Sequence, residues 1–245
     1  MKRTERHHLK ENEVAEWLVK TKTWYEANSK LVSYAGIGVL VLAVALVALV
    51  AFRQMSAGRA ATALAEAMSI AEAPVVAPPA AEAGKFPVQQ PGTYPTERAR
   101  LDAALPKLLA VADGYAGSNA GLMAGYRAAA ALAAVGRLPE AIQRYQQVAE
   151  RSTGAQRAMA RMGLAEAQVL SGQFDQAIAT LTELSTSSAD DVPVDGVLMQ
   201  LARAYRLAGK ADDARKTLKR VADEFPQSPY ASAARRDAEG DGAGS

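Results

Sequence analysis

The sequence contains no cysteine, which excludes disulfides, thiolate metal sites and a lipid-anchor cysteine. That absence suits an extracytoplasmic location. There are only two histidines, His7 and His8. Neighbours on a helix do not face one site, so the pair reads as solvated. Without a further His or any Cys, the rest of the chain lacks the commonest general base and the thiol nucleophile. Asp190 and Asp191 with Asp195, and Asp212 with Asp213, lack calcium-loop spacing and read as solvated loop carboxylates. Neither enzymatic activity nor a cofactor or metal is expected. Aromatic residues make up 6% of the chain against 49% hydrophobic, largely Ala and Leu, the balance of a helical protein rather than a sheet. From Glu97 onward 18 Lys+Arg meet 18 Asp+Glu, which leaves no basic field to hold nucleic acid.

What the chain does have is one long apolar run. Leu31 to Phe52, LVSYAGIGVLVLAVALVALVAF, holds no charge, proline or side-chain amide, and Lys30 and Arg53 bracket it. As a helix it measures about 33 Å, against about 30 Å of bilayer hydrocarbon. A helix satisfies its own backbone hydrogen bonds and so crosses lipid without penalty. The alternative is a buried core helix, but a domain this small does not surround so long an apolar helix on every side. A cleaved signal has an apolar region of about 7–15 residues. This run is longer and is followed by no good small-x-small cleavage site. Residues 31–52 are therefore expected to form an uncleaved transmembrane helix that meets the lipid bilayer.

Residues 1–30 carry seven Lys+Arg and five Asp+Glu, whereas the flank beyond the run offers Arg53 and Arg59. The positive-inside rule then places the N-terminus in the cytoplasm and the C-terminal bulk outside, which in a bacterium is the periplasm. Within this tail Val14, Trp17, Leu18, Trp24 and Tyr25 recur at near-helical spacing. They read either as a partner-binding surface helix or as a helix that steadies the anchor at the headgroups, where Trp and Tyr are favoured. Residues 53–95 divide in two. Gln54 to Ala73 is Ala-rich, with Gly58 its one breaker, and extends the anchor helix. Pro74 to Pro95 carries six prolines and reads as an extended spacer that lets the next domain stand off the membrane.

Residues 96–239 are helical and repetitive, and 240–245 are expected to be disordered. Thr96 followed by Glu97 marks a helix start. Val111-Ala112-Asp113-Gly114-Tyr115 is echoed by Val221-Ala222-Asp223-Glu224-Phe225, 110 residues on, with Val148-Ala149-Glu150 and Leu184 between them at steps of 37, 36 and 37. Gly136, Gly172 and Gly209 keep the same register, 36 and 37 apart, each between two helical stretches. Five residues after each glycine stands Ala141, Ala177 or Ala214, and seven before it Ala129, Ala165 or Ala202. Self-similarity at this period indicates stacked helical hairpins.

At these residues the chain resembles the tetratricopeptide repeat family. Leu201-Ala202, Tyr205, Gly209, Ala214, Leu218 and Pro226 fit its pattern. Leu164-Ala165, Gly172, Phe174, Ala177 and Leu181 fit as well, with Gln168 in place of an aromatic. Ala128-Ala129, Leu132, Gly136, Leu138, Ala141 and Tyr145 fit without the closing proline. The family's leading Trp is absent throughout. The resemblance covers three full repeats, a half repeat before them, and a last helix whose Arg235, Arg236, Asp237 and Glu239 give the polar face of a solenoid cap. Together with the apolar run it implies an all-α fold: a single N-terminal transmembrane helix plus a short TPR-like α-solenoid of helical hairpins.

The resemblance also implies that the first helix of each repeat lines a concave groove. In that register the groove would show Met123 and Tyr126, then Met159, Met162 and Glu166, then Met199, Arg203 and Arg206. Met is flexible and polarizable and suits apolar binding. The expected occupant is an apolar or partly unfolded protein or peptide segment whose acidic end meets Arg203 and Arg206. The alternative is that the methionines pack between repeats. The whole architecture resembles bacterial inner-membrane proteins with one anchor and a periplasmic repeat domain that accompany the Sec translocon and its chaperones. The expected function is thus a membrane-anchored scaffold or chaperone adaptor for exported proteins at the inner membrane. Two alternatives stand beside it: an envelope-assembly or cell-division scaffold with one dedicated partner, and an enzyme or regulator built on the helical domain.

Overall fold

The computed structural model of the chain describes residues 17–78, 89–186 and 192–240. His7, His8, Val14, Pro79, Pro87, Asp190, Asp191 and residues 241–245 lie outside the described residues. Among those described the fold is all-α, with one isolated β-bridge and no strand. The chain divides into two compact units between Ser56 and Ala57.

In the first unit residues 17–27 are helical and Asn28 forms a turn. Helix α1, Ser29–Ala71, starts there and continues into the second unit. The described large side chains of the apolar run are all exposed, from 48% at Val50 to 73% at Tyr34. This helix is long and apolar enough to cross a membrane, and none of its most apolar stretch is buried within the chain.

The second unit is a stack of antiparallel helices. After the end of α1 come α2 (Glu97–Gly114), α3 (Asn119–Ala134), α4 (Leu138–Arg151), α5 (Gly154–Leu170), α6 (Phe174–Thr186), α7 (Val194–Leu207), α8 (Ala211–Glu224) and α9 (Ala231–Gly240). From α2 onward each packs on the next. The helix ends follow from local chemistry. Thr96 Oγ1 accepts the Ala99 N–H at 3.1 Å to open α2, and Ser118 Oγ accepts the Gly121 N–H at 3.0 Å to open α3. Gly136, Gly172 and Gly209, at φ 85°, 77° and 74°, end α3, α5 and α7 in the left-handed conformation that closes a helix. Pro106 interrupts the hydrogen bonding of α2, but on its exposed side.

Alanines at the helix crossings let backbones approach, and leucines fill the space on either side. Ala129, Ala141, Ala165, Ala177, Ala202 and Ala214 are all buried, with Leu132, Leu181, Leu201 and Leu218. Each such leucine contributes roughly 1.5–3 kcal/mol through burial. Gln168, which stands where the resemblance calls for an aromatic, is buried too, and its Oε1 accepts a hydrogen bond from Thr180 Oγ1 at 3.2 Å.

Two expectations about residues 53–95 need correction. The second unit begins at Ala57, not at residue 96. Ala60 and Ala67 are fully buried. Ala67 shares a core with Leu105, Leu108 and Leu132, while Ala63 and Leu64 pack against Val111, Ala112 and Ala124. Lys107 Nζ reaches Glu66 at 2.8 Å. Residues 57–71 are therefore the first helix of the hairpin that the sequence shows only as a half repeat. Nor are the described ends of the proline-rich stretch a free spacer. The Val76 N–H donates to the Tyr94 carbonyl at 2.9 Å and the Tyr94 N–H to the Pro74 carbonyl at 3.0 Å, pairing the two ends in parallel. Gln89 Nε2 adds a hydrogen bond to the Val76 carbonyl at 2.9 Å. Prolines forbid a helix here, yet the extended backbone they favour is the conformation this pairing uses.

Candidate protein-binding face

The first helices of the hairpins, α3, α5 and α7, form one face. Helix α3 lies against α5 and α5 against α7, whereas the second helices α4, α6 and α8 make no comparable approach to one another. Closer spacing on one side of a stack puts that side on the inside of its curve. Side chains that project from α3, α5 and α7 away from their partners therefore share the inner face.

All eight residues picked from the sequence lie on these three helices, in three different environments. Met123 and Met159 are open to solvent, 40% and 49% exposed. Met162 and Met199 are half-buried and pack against one core cluster, beside Leu198, Leu201 and Ala202. Two of the four methionines are thus exposed, and two pack against the core. Tyr126 is half-buried too. Its ring meets Tyr145 edge-on, with centroids 5.6 Å apart and planes at 69°. Burial, with a smaller contribution from Tyr126, pushes the Tyr145 hydroxyl up to about 12.

The charged residues are already engaged. Glu166 on α5 receives Arg203 Nη1 of α7 at 3.1 and 3.0 Å to its two oxygens. One turn further on, Arg206 Nη2 stands 3.4 Å from Asp237 on α9. The first pair joins α5 to α7, and the second joins α7 to α9. Arg203 and Glu166 remain 51% and 39% exposed at their side chains, so a carboxylate from outside can still reach the guanidinium.

Sequence reading missed two members of this face. Leu170 and Leu207 are 53% and 49% exposed. Each follows by four residues a position already chosen, Glu166 or Arg203, and they stand 37 apart, the repeat step. Helical spacing alone could have found them. Two surface recesses lie off this row. One of 460 Å³ sits between the start of α7 and the α8–α9 turn, against Phe225 and Pro226. Another of 360 Å³ lies among α4, α5 and α6, beside Arg157 and Glu150. Of the acidic pairs, Asp212 and Asp213 face Arg215 and Lys216 in the first turn of α8, and Asp195 accepts hydrogen bonds from Ser228 Oγ and the Gly196 N–H.

Residues 132–197 and 197–228 each match a family model of the tetratricopeptide repeat. Over those residues the hairpins are similar to tetratricopeptide repeats. Two solved structures of the nearly identical TPR-like repeats of a candidate kinesin light chain from Podosopora anserina, one of them a variant, share the fold. Each aligns with 58% of this chain and 77% of its own at 20% identity, with a TM-score of 0.50. The MamA protein aligns with 58% of this chain and 78% of its own at 15% identity and a TM-score of 0.42. No curated protein matches the chain. The TPR-like likeness speaks to the fold alone.

Proposed function

We propose that this protein is a membrane-anchored protein-interaction scaffold that receives an apolar protein segment on the inner face of its repeats. The observation that carries the reading is the row Met123, Met159, Leu170 and Leu207. These are large apolar side chains left open on first helices, although the neighbouring core buries its leucines. A long open face suits an extended or helical segment better than a small molecule, which needs an enclosed pocket. Tetratricopeptide repeats generally bind proteins or peptides, which fits. Leu31 to Phe52 holds the chain in a bilayer.

The finer reading places the repeats outside the cytoplasm of a bacterium, at the inner membrane. There the protein acts on exported chains as a chaperone adaptor, beside the Sec translocon or periplasmic chaperones. The charge excess of residues 1–30 and the anchor-first order support it. The competing reading is an envelope-assembly or cell-division scaffold with one dedicated partner. Crosslinking in intact cells separates them, with a photoreactive residue at Met159, which is more open than Met162. Many exported chains captured together with translocon components support the adaptor. A single stoichiometric partner supports the dedicated scaffold. Capture of cytoplasmic proteins alone refutes the orientation.

A further inference from the structure

Residues 17–27 form a helical stretch whose side chains are all exposed. At 3.6 residues per turn, Trp24, Trp17, Thr21, Tyr25 and Leu18 fall within an arc of about 120°. Lys20 lies about 40° beyond one edge of that arc and Lys22 about 40° beyond the other. Glu26 stands on the opposite side. An aromatic face flanked on both edges by lysines matches the boundary between acyl chains and anionic headgroups, because the rings are amphipathic and the ammonium groups reach phosphate.

A second observation concerns the join to α1. The helix does not run unbroken into the apolar stretch. Asn28 breaks it as a turn, with its backbone N–H shared between the Trp24 and Tyr25 carbonyls at 3.0 and 3.3 Å and its Nδ2 donating to the Trp24 carbonyl at 2.9 Å. This turn satisfies the end of one helix and stands three residues before Leu31. We infer that residues 17–25 lie along the membrane surface, with Trp17, Leu18, Trp24 and Tyr25 immersed at headgroup level and Lys20 and Lys22 on anionic lipid phosphates. The occupant of this face is the phospholipid bilayer itself, continuous with the span that begins at Leu31. The inference rests on the membrane-anchoring reading of Leu31 to Phe52.

Trp17 and Trp24 are the chain's two tryptophans, so its tryptophan fluorescence reports on this face alone. They are seven residues apart, about 10 Å along a helix. A helix lying in the surface holds both at one depth; a helix standing away from the membrane separates them by that distance. The test uses the full chain in vesicles of phosphatidylcholine with phosphatidylglycerol, as the variants W17F and W24F, each keeping one tryptophan. Lipids brominated near the headgroup should quench the two variants equally, a ratio of about 1, and more strongly than lipids brominated near the bilayer centre. In a further variant, Lys20→Gln with Lys22→Gln, the added shielding from acrylamide that anionic over neutral vesicles provide should be lost. Lipid quenching of Trp24 with Trp17 open to acrylamide overturns the inference. So does shielding of both from lipid and acrylamide alike, which would mean that a protein surface covers the face. Flotation of the same vesicles keeps the two readings apart. A chain that fails to float with lipid defeats the anchor itself, whereas one that floats with tryptophans unquenched by lipid defeats only the surface helix.

Discussion

Replacing Gly163 with Ala should destabilise the repeat domain, although the same change in an unconstrained helix interior stabilises by about 1 kcal/mol. Gly163 lies in α5 where it crosses α4. A Cβ added there would stand 2.4 Å from Cε1 and 2.5 Å from Cζ of Tyr145. The Tyr145 ring is buried and meets Tyr126 edge-on, so it has little room to withdraw. Forcing a methyl group into such a contact costs about 1–3 kcal/mol. With a buried ring packed against Tyr126 the upper end applies, and after the helix-propensity gain the net loss is about 2 kcal/mol. Urea unfolding of the full chain in detergent, followed by helical circular dichroism, measures it. Tyr145→Leu, which removes the ring, should relieve the clash. The double variant should then show a coupling of about 1–2 kcal/mol relative to the two single changes. A Gly163→Ala chain more stable than the parent would refute the reasoning, because the ring would then be free to yield.

Three further outcomes follow from the same contacts. The Tyr145 hydroxyl sits at about 12 in the folded chain against an ordinary 10.0, so the unfolded chain loses its proton first. This residue's contribution is intact below pH 10 and falls by about 2–3 kcal/mol as the pH rises toward 12; Tyr145→Phe should lack that part of the decline, and parallel curves would dismiss it. Met159→Ser should alter stability by no more than about 0.5 kcal/mol, whereas Met162→Ser, which strips a side chain from the core, should cost about 1–2 kcal/mol by the same unfolding assay. Gly172→Ala meets no neighbour but must hold φ 77°, so a loss of about 1–2 kcal/mol is expected from backbone strain, and an unchanged midpoint would count against the left-handed helix end.

The repeats were legible because their period is written in glycine and alanine. A residue that must take positive φ admits few substitutes, and a helix crossing at close range admits little beyond Ala, so both kinds of position stand out. Gly136, Gly172 and Gly209 mark the turns for that reason, and Ala141, Ala177 and Ala214 the crossings. The first hairpin was not legible. Residues 57–71 follow the apolar run within one helix with no breaker but Gly58, and their partner α2 comes only after the proline-rich stretch. The spacing of Ala60, Ala63, Leu64 and Ala67 does carry the apolar stripe of a packed helix. An Ala-rich sequence blurs that stripe, since alanine is at home on either face. The candidate face was half legible. Register placed all eight residues on first helices, but whether a methionine projects or tucks under depends on its neighbours. Met159 projects and Met162, three residues on, does not.

On the proposed reading, the inner face divides its work between charge and apolar area. A carboxylate that approaches Arg203 has to compete with Glu166, which already meets that guanidinium through both oxygens. The existing pair is exposed and worth no more than about 1 kcal/mol, so displacing it costs little, but the incoming pair gains no more than the old one gave up. Charge therefore steers an acidic segment toward α7 and sets its direction, more than it holds the segment there. Retention falls to Met123, Met159, Leu170 and Leu207, whose exposed area is removed from water only when something covers it, at about 25 cal/mol for each Å². Methionine and leucine without a rigid aromatic pocket favour apolar segments broadly rather than one shape. That balance, loose apolar retention with weak electrostatic guidance, is what a scaffold for many client chains requires, and it is the physical ground for preferring the adaptor over the scaffold with a single partner.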